Sequence, residues 1–214
     1  MFGIISIILK FLLKNLLFFY FLEAKLGVYS YLNDKNIRKM AFEMLEKVLD
    51  YGEDPVFLCV GNSSVVGDML GPMVGDKLIN QYNIDCPVFG TLDDNVKSSN
   101  FLSTWSNIKN KYPLRPIIIV DSSLGDDNSV GYTKFCPYGC IPASFSNSKI
   151  YGNCSILGTV NRVGISQIML LKTVKYSMIR DMSVFVAKVI VECLKIMKII
   201  KNNSNKNEAL VGCK

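Results

Sequence analysis

Residues 55–78 read PVFLCVGNSSVVGDMLGPMVGDKL, and this stretch decides the fold. Pro55 opens the run Val56–Val60, which is apolar without alternation. That is the pattern of a strand buried on both faces. Gly61 and Gly67 bound a turn. Met69, Met73, Leu78 and Ile79 then follow at helical spacing. Pro72 fits such a helix only in its first turn, where a missing N–H costs nothing. Strand, glycine-bounded loop and helix together open a parallel α/β unit.

The same grammar extends in both directions. Upstream, KNIRKMAFEMLEKVLD (35–50) has apolar residues at Ile37, Met40, Phe42, Met44, Leu45, Val48 and Leu49, a helical periodicity, with Asn33 or Asp34 as N-cap. Downstream, CPVFG (86–90) predicts a short strand, followed by the polar loop TLDDNVKSSN. Residues 101–111 read as a helix with Leu102, Trp105 and Ile108 inward, Trp105 being a core residue. Pro116 opens a second buried run, IIIV, ending at Asp121. A strand over 130–135, a loop over 136–152 and a strand over 154–160 follow. Two helical stretches then run from Gly164 to about Ile200, the last apolar almost all round. Strands alternating with helices predict an α/β fold with a mostly parallel sheet and helices on both faces.

The chain has 214 residues, half of them apolar and a fifth charged. That composition excludes a disordered tail or a collagen-like fibre and fits one domain. It contains no histidine. Ser–His and Cys–His nucleophile pairs and His-ligated metal sites are thereby excluded. Acid–base chemistry near neutral pH must use carboxylates, Lys, Tyr or Cys. The net charge of +6 is not spread over the body. Residues 1–40 hold six Lys or Arg against two acids, and residues 195–214 hold five against one, so the stretch between sums to −2. A nucleic-acid-binding groove is not indicated. The seven cysteines are irregularly spaced and fit a reducing cytoplasm. Cys59 and Cys193 read as core residues, and Cys136 and Cys140 lack the second pair a metal site would need.

The N-terminal segment is a separate matter. Seventeen of residues 1–22 are apolar, yet the longest unbroken run, Leu16–Leu22, has seven residues. A spanning helix needs about 20. Gly3, Ser6, Lys10 and Lys14 line up in one helical stripe. Three readings stand open: a membrane-interface helix or weak anchor, a helix packed on the domain or on a second copy, and an extension from an upstream start codon. The expected organisation is an apolar segment at 1–28, a single domain at 29–200 and a flexible tail at 201–214.

In parallel α/β sheets the site lies beyond the C-terminal strand ends. Asp121 ends IIIV, Asp68 follows VFLCV through the glycine-bounded loop, and Asp93 and Asp94 follow the 86–90 strand. Two carboxyls held close cannot both ionise easily, so one keeps its proton. Such a pair can polarise a carbonyl and activate a water without histidine. Each acid also has a plainer reading. Asp68 can cap the helix that follows, Asp121 can bond loop amides, and Asp93, Asp94, Asp126 and Asp127 can sit in solvated turns.

The blocks VFLCVGNSSVVGDMLGPMVGDKL, VFGTLDDNV, IIIVDSSLG and SILGTVN resemble, in order and spacing, the YyaC-type sporulation proteins. More distantly they are similar to the spore germination protease and the hydrogenase maturation peptidases. The resemblance covers roughly residues 35–200. It implies a three-layer α/β/α fold of the phosphorylase/hydrolase-like kind around a twisted, mostly parallel sheet. By motif it assigns the working acids to Asp68 and Asp121. The sequence departs from the pattern in CPYGCIPASFSNSK (136–149) and at Asn153, and it lacks the metal-recognising histidine of the hydrogenase peptidases.

The resulting expectation is a sporulation-associated peptidase working through paired aspartates on a protein or peptide substrate, with no metal and no cofactor. Asn62 would orient a carboxylate or a substrate carbonyl, and Asp93, Asp94, Thr159 and Asn161 would line the pocket. The compartment would be the cytoplasm of the sporulating cell or forespore, with membrane-surface contact through residues 1–22. The alternative is a non-catalytic peptide-binding or regulatory protein on the same fold. Neither substrate nor oligomeric state follows from the sequence.

Overall fold

The structure is a computed structural model that describes residues 28–30, 34–142 and 149–211. The apolar segment 1–22 and the Asn33 cap lie outside the described residues.

Six strands form one sheet: β1 (Val28–Ser30), β2 (Val56–Cys59), β3 (Val88–Phe89), β4 (Ile117–Gly125), β5 (Tyr132–Cys136) and β6 (Cys154–Arg162), in the order β1-β5-β6-β4-β2-β3. The pairs β2–β3, β2–β4 and β4–β6 are parallel, while β5–β6 and β1–β5 are antiparallel. Among the described residues the α-helices are α1 (Asp34–Leu49), α2 (Leu70–Asp76), α3 (Phe101–Lys111), α4 (Gln167–Lys172) and α5 (Tyr176–Val211). A π-helical turn, Lys77–Gln81, prolongs α2.

The unbroken apolar runs follow from the sheet having two covered faces. Phe57, Cys59, Ile118 and Val120 enter one hydrophobic cluster with α1, α2 and α5. Val56, Leu58, Ile117 and Ile119 enter the other, with Phe101 and Ile108 of α3 and with Tyr151. Successive residues of a strand point to opposite faces, so a strand between two helix layers must be apolar at every position. Each such Leu, Ile or Phe contributes about 1.5–3 kcal/mol relative to exposure. This is the expected three-layer α/β/α arrangement.

The helices show the complementary pattern. In α1, Met40, Ala41, Met44, Leu45 and Val48 are fully buried, at the spacing of one helical face. They share a cluster with Phe185, Val189, Ile190 and Cys193 of α5. Cys59 and Cys193 are core residues, and burial pushes both thiols upward in pKa. In α3 the inward stripe is Phe101, Trp105 and Ile108, and Leu102 is exposed. The expected stripe is therefore rotated by one residue. Trp105 stacks on Phe101 and meets Tyr151 edge-on.

Three further differences alter the outline of the fold. β4 does not end at Asp121 but continues to Gly125, paired by then with β6 alone. No element is expected at Val28–Ser30, where β1 pairs with β5. Finally, α5 runs to Val211, past its expected end near Ile200 and through most of the tail expected to fray. Among the described residues no helix is long and apolar enough to cross a membrane.

Candidate active site

The site forms where β2 stops and β4 goes on. Val60 N–H donates to Val120 O (2.8 Å), and Gly61 N–H donates to Val96 O (2.8 Å). There the chain leaves the sheet. Gly61 has φ +148°, and a Cβ on it would collide with the carbonyl oxygen of Asp68. Only glycine lets the loop fold back so closely. Asn62 Oδ1 accepts from Ser64 N–H (3.0 Å), and Val65 O accepts from Asp68 N–H (2.8 Å). The loop thus ends in a tight 3₁₀ turn, Val66–Asp68, just ahead of α2. Asp68 does not cap that helix. Its Oδ2 accepts from Asn62 N–H at 2.9 Å.

Asp121 arrives along the strand. It shares strand parity with Ile117 and Ile119, so it belongs to the α3 face, whereas Ser122 shares parity with Ile118 and Val120 and belongs to the α2 face. Asp121 is 7 % exposed, and its Oδ1 accepts from Ser122 N–H at 2.7 Å. Each carboxyl therefore gives one oxygen to a backbone amide. The other oxygen, Oδ1 of Asp68 and Oδ2 of Asp121, has no hydrogen-bond partner among the described residues.

Both acids line a cavity of about 350 Å³. That is the size of a small-ligand pocket. Lys97, Ser98, Ser122, Cys140 and Gln167 add polar atoms, and Leu124, Ile141, Pro142, Val163 and Leu171 supply apolar wall. Burial pushes Asp68 up to about 6, partly offset by the Asn62 amide. Burial also pushes Asp121 well above the usual carboxylate range, the charge of Asp68 pushes it further, and the Ser122 amide opposes both. The charge of Asp68 thus reaches Asp121, and both carboxyls are held toward their protonated forms. Cys140 is buried, and its thiol is pushed up to about 12, first by burial and then by Asp121 and Cys136. It is a neutral wall residue at physiological pH, not a thiolate nucleophile.

The other expected site residues have different places. Asn62 lines the cavity, but it meets Asp68 through its backbone N–H, and its side-chain Oδ1 is taken by Ser64 N–H. Asp93 and Asp94 are exposed in a turn and are not among the cavity-lining residues. Asp126 and Asp127 are likewise exposed. Thr159 is buried beside Ser123, with the hydroxyls 3.4 Å apart, and does not reach the cavity. Asn161 is engaged elsewhere. Its Nδ2 donates to Leu170 O (2.8 Å) and Thr173 Oγ1 (3.3 Å), and its Oδ1 accepts from Arg162 N–H (2.9 Å). It fastens α4, which provides Gln167 and Leu171 to the cavity.

The loop after β3 delivers Lys97 and Ser98 instead of its acids. Asn95 Nδ2 donates to Ser63 Oγ (2.6 Å), Asn100 Nδ2 to Asn95 O (3.0 Å), and Lys97 N–H to Asn100 Oδ1 (2.8 Å). These bonds tie the second loop to the first and bring Lys97 to the rim of the cavity. Among the described residues no group of three or more His, Cys, Asp or Glu is placed to hold a metal ion.

Comparison with known proteins adds a family and one curated relative. The model of the family described as "Protein of unknown function (DUF1256)" matches residues 29–189. The "Uncharacterized protein YyaC" of Bacillus subtilis (strain 168) is 28% identical over 151 residues, covering 70% of this chain and 73% of the relative. No solved structure matches.

Proposed function

From the premise that the chain belongs to the DUF1256 family, we propose that it is a sporulation-associated peptidase in which Asp68 and Asp121 share one proton. The observation that carries this reading is two acids, from separate elements, on one cavity, each with one oxygen fixed by an amide and both raised in pKa. The difference between them assigns the roles. Asp121 enters the reaction protonated and hydrogen-bonds the scissile carbonyl. Asp68, ionised above about pH 6, is the base.

The steps balance on these two groups. A water oxygen attacks the carbonyl carbon as Asp68 takes one of the water protons. The carbonyl π electrons move to oxygen, which takes the proton of Asp121. In the collapse the diol returns a proton to Asp121, the C–N bond breaks, and the leaving nitrogen takes the proton held by Asp68. An acid and an amine leave, and both aspartates regain their starting states. No histidine is called on, in keeping with a chain that has none.

The sporulation setting and the cytoplasmic compartment of the sporulating cell or forespore rest on the resemblance of the four sequence blocks. Recruitment to a membrane surface through residues 1–22 belongs to the same proposal. The test is incubation of the full chain with a peptide library made from a bacterial proteome, new termini being read by mass spectrometry. Wild type cleaves, and Asp68→Asn and Asp121→Asn each lose at least about a thousandfold in kcat/KM. Undiminished cleavage in both variants overturns the paired-aspartate reading. Retention of peptides without cleavage by wild type favours the non-catalytic binding protein.

A further inference from the structure

One hydroxyl at the site is left over by the fold. Ser122 is 9 % exposed, lines the cavity, and its Oγ is buried with no hydrogen-bond partner among the described residues. A buried hydroxyl without a partner is unfavourable, and native structures rarely keep one without a reason. Its neighbours make different use of their side chains. Ser63, Ser123, Ser129, Ser155 and Ser183 all have a partner for Oγ.

The position of Ser122 narrows its role. It follows Asp121 directly but belongs to the opposite face of β4, the face of α2. Asp68 stands at the entrance to α2 on that side, with Oδ2 taken by the Asn62 amide and Oδ1 without a protein partner among the described residues. Ser122 Oγ, buried and without a partner, and Asp68 Oδ1 thus belong to two residues that line one cavity, and a water bound there needs two to four polar neighbours.

Resting on the peptidase reading, we propose that Ser122 positions the attacking water. The water donates one hydrogen to Asp68 Oδ1 and the other to Ser122 Oγ, which leaves a lone pair directed at the scissile carbonyl. Ser122 exchanges no proton and makes no covalent bond. It acts through the water, as a positioning residue, and its effect falls on the chemical step.

The test compares Ser122→Ala and Ser122→Thr with wild type on one peptide that wild type cleaves, together with a thermal melt of each. In Ser122→Ala, kcat falls about tenfold or more while KM stays within about twofold. Its melting temperature is equal to or above wild type, because the change removes a hydroxyl that the fold does not satisfy. Ser122→Thr keeps the hydroxyl and recovers most of kcat. An unchanged kcat in Ser122→Ala overturns the assignment. So does a raised KM at constant kcat, a melt several degrees lower, or a Thr variant as slow as Ala. If wild type cleaves and Asp68→Asn does not, failure at Ser122 leaves the aspartate pair standing. If wild type cleaves nothing, both readings fall together.

Discussion

Two loops leave neighbouring parallel strands at the same end of the sheet, and each carries acids, but only one brings an acid to the cavity. The loop after β2 folds back on the strand it has just left. Gly61 admits the Asp68 backbone at close range, and the Asn62 amide holds the carboxylate. The loop after β3 closes on itself. Thr91 N–H donates to Asp94 O (2.9 Å), and Asp94 N–H donates to Thr91 Oγ1 (3.0 Å). Asp93 and Asp94 are therefore in solvent, and it is Lys97, itself exposed, that borders the cavity further along. An acid near a strand end acquires unusual chemistry only where the chain returns it to the sheet edge and removes water from around it.

The largest test of this contrast is catalytic. The Asn variants of Asp68 and Asp121 lose at least about a thousandfold in kcat/KM, while Asp93→Asn and Asp94→Asn stay within about twofold. A comparable loss at Asp93 or Asp94 would erase the distinction between the loops.

Next comes the backbone that creates it. Gly61→Ala places a methyl against the Asp68 carbonyl at a positive φ, and it costs about 2–3 kcal/mol in denaturant unfolding. A loss below about 0.5 kcal/mol would show that the close return of the loop is not required.

The acids themselves give the third test. Asp68 goes from an ordinary value of 3.8 to about 6 on folding, so the folded state binds its proton more tightly than the unfolded state does. The resulting cost is absent below about pH 3.8, grows as pH rises, and is complete above about pH 6. Asp68→Asn is accordingly more stable than wild type at pH 7, by on the order of 2 kcal/mol, and equal to it near pH 3.5. Asp121→Asn shifts in the same direction. Asp93→Asn and Asp94→Asn change stability by less than about 0.5 kcal/mol at either pH. Melts across this range decide it, and a wild type more stable than Asp68→Asn at pH 7 would refute the burial argument.

The smallest effect is the shape of the rate profile. With Asp68 as base, log kcat/KM rises with unit slope below about pH 6 and levels above it. A profile flat from pH 5 to 7 would assign the base elsewhere.

The parts of this molecule that are legible in the sequence are those where a local pattern has one physical cause. VFLCV and IIIV are continuous because β2 and β4 lie between two helix layers. Asp68 and Asp121 stand out because they follow those runs. The rest depends on distant partners. β1 is three residues long and exists through pairing with β5. Lys97 is placed by the Asn95–Ser63 and Asn100–Asn95 bonds, which no periodicity announces. Asn161 carries the composition of a pocket residue and is consumed in holding α4. The isolation of the Ser122 hydroxyl exists only once every neighbouring partner is placed.

α4 has six residues. A helix that short has no stability of its own. Asn161 bonds the last-turn carbonyl of Leu170 and the Thr173 hydroxyl that follows it. Gln167 and Leu171 thus sit on a wall held by the Asn161 amide and by the packing of Leu171 against the core, while Asp121 and Ser122 on the same cavity belong to a sheet strand. The two walls differ in what holds them: strands of a sheet open only with the core, whereas a short peripheral helix belongs to the low-stability end of a structure. In the proposed peptidase, how long a ligand stays would depend on the Asn161 contacts and its hydrolysis on the aspartates, two groups that can be changed separately.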